Sequence, residues 1–138
     1  MINTIRNKIV SLLQGIDYIK AVYTYPEVKP SGYPYAIVVW ERNESEALTN
    51  QQDRVNIVFK IALVQEKMEE LKGRRNAENI ANDRAAKIES LFRGNNDLDL
   101  SNVLRVLPIE TKKSYDNSAT RIVVETTIKV LVVEQVSL

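Results

Sequence analysis

The last eighteen residues of the chain, RIVVETTIKVLVVEQVSL from Arg121 to Leu138, alternate as a β-strand does. Side chains along a strand point to opposite faces with period two. One face carries Ile122, Val124, Thr126, Ile128, Val130 and Val132. The other carries Val123, Glu125, Thr127, Lys129, Leu131 and Val133. A strand with one wet face should be polar at every second position. This one is polar only in its middle and apolar on both faces near its ends.

Upstream the period changes. Ile2, Ile5, Ile9, Leu12 and Leu13 recur at helical spacing, with Ile16 just beyond, and Arg6, Asn7, Lys8 and Gln14 fall outside that stripe. This predicts an amphipathic helix over residues 2–14 that stops at Gly15. Ile19 to Tyr25 reads as a short strand. The following PEVKPSGYP holds Pro26, Pro30 and Pro34, which cannot donate to a sheet ladder, so it reads as a loop. Tyr35 to Arg42 is a second strand and Asp53 to Glu66 a third, with Val55, Ile57, Phe59, Ile61 and Leu63 on its core face. The two strands form a long hairpin whose polar tip is residues 43–52. KMEELKGRR reads as a solvated connection, part of it helical. From Asn76 to Phe92 the residues Ala77, Ile80, Ala81, Ala85, Ile88, Leu91 and Phe92 form the apolar stripe of a second helix. Asp83 and Lys87 stand at the i,i+4 spacing of a helical ion pair. Asn102 to Ser114 is a fourth strand, and its Pro108 points to a sheet edge or a bulge. YDNSA is the turn into the last strand.

The predicted order is therefore α-β-β-β-α-β-β. It gives an α/β fold of the α+β type, with a mostly antiparallel sheet of about five strands and two helices packed on it. Residues 1–138 form one domain by length. Val58, Ala62 and Val64 in the third strand, and Val123, Leu131 and Val133 in the last, lie opposite the core face. Two helices on one side would leave these positions bare, and a large apolar patch is unusual on a soluble monomer. The expectation is that another copy of the chain covers them. Helices on opposite faces, or a sheet curled over itself, are the alternatives.

Composition narrows the chemistry. The chain contains no cysteine and no histidine. Disulfides, thiolate metal sites and cysteine nucleophiles are excluded, and the commonest general base is missing. These absences argue against an enzyme, and no cofactor or metal site is expected. Net charge is +1, with 44% hydrophobic and 27% charged residues. No long-range field draws the chain to nucleic acid or an anionic membrane. No segment reaches the about 20 apolar residues of a membrane span, and the N-terminal pattern reads as a helix and not a signal peptide. Asn43 opens an NES triplet, a glycosylation pattern that means little without a secretory signal. Asp97 and Asp99 hint at a calcium loop, but the glycine and bidentate glutamate of such a loop are absent, so a plain connection is the better reading. The basic pairs Arg74–Arg75 and Lys112–Lys113 are too few for a nucleic-acid surface. Tyr18, Tyr23, Tyr25, Tyr33, Tyr35 and Trp40 fit an interface and a half-buried sheet equally well.

The sequence of elements is similar to a known family. A short amphipathic helix precedes a tyrosine-bearing strand, then GYPYAIVVW, the polar hairpin ERNESEALTNQQDRVNIVFKIAL, the helix AENIANDRAAKIESLF and two closing strands. Over nearly the whole chain this resembles the tail terminator proteins of long-tailed bacteriophages, also called tail completion or head-tail joining proteins. The resemblance implies a structural protein without catalytic residues. It implies a homohexameric ring that caps the tail tube and meets the head or neck connector, located in the virion at the tail-neck junction and in the host cytoplasm during assembly. The partners implied are further copies of the chain, the tail tube protein and a connector protein, without specific nucleic acid or membrane. Trp40, Glu41, Glu44, Glu46, Arg54, Val123, Leu131 and Val133 are the candidate interface residues on the hairpin and the second sheet face. Another neck or tail-tube component is the nearest alternative. A ferredoxin-like domain that binds a small regulatory ligand is the alternative from a different class.

Overall fold

The computed structural model of this chain describes residues 1–26, 30–47, 52–66, 74–115 and 121–135, with side chains of 45–47, 52–54, 74–75 and 133–135 left outside the description. Two helices and five strands follow one another as α1 (Ile2–Gln14), β1 (Ala21–Tyr23), β2 (Tyr35–Ala47), β3 (Gln52–Glu66), α2 (Arg74–Gly94), β4 (Val103–Tyr115) and β5 (Arg121–Gln135). This is the element order expected from the periodicity. The strands form one sheet in the spatial order β1-β2-β3-β5-β4.

The expectation of a mostly antiparallel sheet is corrected at one edge. β1 runs parallel to β2, so the sheet is mixed, while β2–β3, β3–β5 and β4–β5 are antiparallel. Parallel neighbours need a connection long enough to carry the chain back to the starting end. The proline-rich stretch after β1 supplies it, and the Tyr33–Pro34 peptide within it is cis. β1 is also shorter than the Ile19–Tyr25 reading, because only Ala21, Val22 and Tyr23 pair with β2. β3 and β4 both oppose β5, so they run parallel to each other with β5 inserted between them and α2 making the crossover.

Both helices lie on the same face. Ile5, Ile9 and Leu13 of α1 and Ala77, Ala81, Ile88 and Phe92 of α2 join one core with Val55, Ile57, Phe59, Ile61 and Leu63 of β3. Ile122, Val124, Ile128, Val130 and Val132 of β5 extend it. Each fully buried Val, Leu, Ile or Phe side chain among them is worth roughly 1.5–3 kcal/mol. Asp83 and Lys87 do not form the expected ion pair with each other. Pro108 sits on an edge strand beside a bulge, as a proline that cannot donate to a ladder must. Among the described residues no helix is long and apolar enough to cross a membrane.

Candidate interaction surface

The sheet face turned away from the helices is crossed by a chain of opposite charges. On β2 the Arg42 guanidinium lies 3.1 Å from Glu41 and 3.7 Å from Glu44. Glu41 in turn lies 3.5 Å from the Lys60 ammonium on β3, which also reaches Glu125 on β5 at 3.4 Å. Glu125 continues to Lys112 on β4 at 3.8 Å, and Lys112 to Glu110 at 4.0 Å. A branch joins Glu44 to Lys129 at 3.6 Å. Four strands are thus bridged by alternating signs. Glu125, and then Glu41, raise the pKa of Lys60 above the ordinary lysine value.

Register explains this alignment. Ala62 of β3 pairs with Glu125, and Glu125 with Lys112, so one row runs across three strands. A bulge between Trp40 and Arg42 adds one residue to β2 and places Glu41 beside Lys60. The same register explains the apolar positions of this face. Val58 lies between Arg42 and Lys129, and it is 0% exposed although no helix covers it. Long charged side chains lay their aliphatic stems over apolar neighbours while their heads stay wet. Leu131 lies between Asn56 and Arg105 and is 6% exposed. Val64 lies between Tyr35 and Val123.

The candidate interface residues therefore separate. Glu41 and Glu44 belong to the ion-pair chain. Val123 is half-buried on the open face, and Leu131 is already buried within a single chain and offers a partner little area. Trp40 lies at the level of Phe59, on the helix side of the β2 edge, with its indole N–H donating to Asn43 Oδ1 at 2.8 Å. Glu46 pairs with Arg54, and Arg54 with Val133, in the backbone register; their side chains lie outside the described residues, as do residues 48–51, whereas residues 43–47, expected in the hairpin tip, continue β2 as strand.

Several other charged and aromatic groups pair within the chain. Lys112 and Lys113 are adjacent in sequence and so point to opposite faces. Lys113 binds Glu78 of α2 at 2.7 Å and Asn82 at 3.1 Å, and the Glu78 hydrogen bond raises its pKa. Thr111 donates to Glu89 at 2.7 Å. Tyr23, Tyr25, Tyr33 and Tyr35 form one cluster at the β1 edge, with Arg121 stacked over Tyr33. Asp97 Oδ1 accepts the Asp99 N–H at 2.9 Å, making a local turn, and the described residues hold no cluster of metal-ligand type.

One polar group inside the core was missed from sequence. Gln65 is fully buried; its amide donates to Ala77 O at 3.0 Å and accepts from Arg84 at 2.8 Å. Arg84 stacks over Tyr18 at 4.6 Å. Burial raises the Tyr18 pKa, against the opposing pull of Arg84. The available signal was Arg84 itself, at i+3 from Ala81 and i−4 from Ile88, within the apolar stripe of α2. Next to this group, Leu12, Ile16, Tyr18, Lys87 and Leu91 line an open groove of about 450 Å³ between α1 and α2.

No protein-family model matches the sequence, and no curated protein matches it. Among solved structures, the fold is similar to a chain of the virion of a native gene transfer agent particle. That likeness has a TM-score of 0.64 at 13% identity and covers 94% of each chain.

Proposed function

We propose that this chain is a structural protein of a virion, and that its copies form a ring that caps a tail tube and joins it to the head or neck. The observation that carries the reading is the fold shared, over 94% of both chains, with a chain of a gene transfer agent virion. The element order and the GYPYAIVVW segment, which resemble the tail terminator proteins, supply the finer assignment. In this reading the chain is a building block and catalyses nothing. Its working surfaces are the wet sheet face and the open sheet edges, and its partners are further copies of itself, a tail tube protein and a connector. A ring of this kind closes by rotation, so each subunit presents two different surfaces to its two neighbours. The test is incubation with tail tubes that lack their terminal ring, followed by electron microscopy. The protein should appear at one end of each tube. Absence from both ends, or coating along the whole length, would overturn the capping role.

A further inference from the structure

The two outer edges of the sheet differ in sign and are both open. β1 pairs with β2 only at Tyr35, Ala36 and Ile37. Among the described residues, Val38–Ala47 of β2 has no neighbour on its outer side, and β4 has none along its length. A strand edge presents unpaired N–H and C=O groups to any chain that fits them. Besides Tyr115 at the end of β4, four large apolar side chains stand exposed on these two strands. Val39 and Trp40 are 40% and 43% exposed beside the β2 bulge, and Leu104 and Ile109 are 58% and 46% exposed at the two β4 bulges. Charge distinguishes the edges. Among the described side chains, the open part of β2 carries Glu41 and Glu44 against Arg42, whereas β4 carries Arg105 and Lys112 against Glu110, with Lys113 paired to Glu78 of α2. The ion-pair chain of the open face ends on these same strands, at Arg42 and Glu41 on one side and Lys112 and Glu110 on the other.

We infer that the outer edge of β2 in one copy of this chain docks on the outer edge of β4 in a second copy, continuing the sheet head to tail. The inference rests on the ring reading and names its contact. A second copy is the occupant because each edge carries the charge that the other lacks. Pairing β2 with β2 would set acidic edge on acidic edge, and β4 with β4 basic on basic. Strand direction agrees. β2, β3, β5 and β4 alternate, so β2 and β4 run oppositely. A copy carried round an axis along the strands then places its β2 antiparallel to the β4 it meets. Pro108 and the bulges divide the β4 edge into short segments, which limits indiscriminate pairing. The protruding Leu104 and Ile109 then select the edge that fits.

The experiment is solution mass for the wild type, Trp40→Lys, Ile109→Asp and an equimolar mixture of these two variants. Both altered positions are exposed, and circular dichroism verifies that each variant is folded. Trp40→Lys puts a cation on the edge that must meet basic β4, and Ile109→Asp an anion on the edge that must meet acidic β2. Each variant alone should stay monomeric where the wild type assembles. Their mixture should regain association, at least to one-to-one dimers, because each variant keeps the edge that the other has lost. Trp40→Phe should assemble like the wild type. A wild-type ring that both variants also form would overturn the edge contact and leave the ring reading standing. Homodimers of either variant would replace it with a symmetric contact. A wild type that stays monomeric up to its solubility limit would overturn the ring reading and this contact together.

Discussion

On the helix side of the sheet, Ile57 and Phe59 are buried beneath α1 and α2; on the other side, Val58 between them is buried as completely by the stems of charged neighbours. The first arrangement is a dry core, where each lost methylene leaves a cavity. The second is a thin cover of Arg42, Lys60 and Lys129 over scattered apolar side chains, with its charges paired at the surface. Exposed ion pairs contribute little stability, and salt screens them. The helix face therefore holds the subunit together, and the open face and its edges remain available for contact. Placing both helices on one side is what produces this division.

The largest effect should come from a charge in the dry core. Ile57→Asp buries an unpaired carboxylate and should abolish folding, seen as loss of the circular dichroism transition. Leu131→Asp on the opposite face should remain folded, since Arg105 stands next to it in the ladder; a loss of about 1–3 kcal/mol is expected in denaturant titration. An unfolded Leu131→Asp protein would mean that the two faces do not differ as described. Gln65→Leu leaves Arg84 and the Ala77 carbonyl without their buried partner and should cost about 1–3 kcal/mol. Thr126 reverses the sign. It is fully buried on the helix side of β5 and its hydroxyl has no hydrogen-bond partner, so Thr126→Val should stabilise by about 1 kcal/mol.

The smallest effect concerns pH. Lys60 and Lys113 have folded-state pKa values raised above 10.5, and Tyr18 above 10.0. A group whose pKa is raised by folding stabilises the protein below its unfolded value, and that contribution is lost as pH rises through the folded value. All three act in the same direction, so the melting temperature should fall above about pH 10. Glu125→Gln, which removes the carboxylate shared by Lys60 and Lys112, should lower stability only slightly and weaken the alkaline dependence.

The elements were legible because the periods are clean. The 2–14 helix, the odd-numbered face of β3 and the even-numbered face of β5 all stand where alternation places them. Pro108, read as the mark of an edge or a bulge, stands on the edge strand with a bulge directly after it. Which side each helix would take was not legible, because an amphipathic stripe states that it is buried and not against which face. The parallel β1 was hidden for a similar reason, since a proline-rich loop marks a connection without giving its direction. The ion-pair chain needed the cross-strand register, which brings Glu41, Lys60, Glu125 and Lys112 together from four separate segments. Leu131 was read as surface from the alternation of its own strand. Its burial depends on Asn56 and Arg105 of the adjacent strands, which that alternation does not contain.

Self-assembly is the central claim, and solution mass by light scattering at low and high protein concentration tests it most directly. The account predicts a concentration-dependent species of about six subunits, closed by rotation and without a preferred dimer. A single mass equal to one chain at every concentration, or a dimer that grows no further, would contradict it.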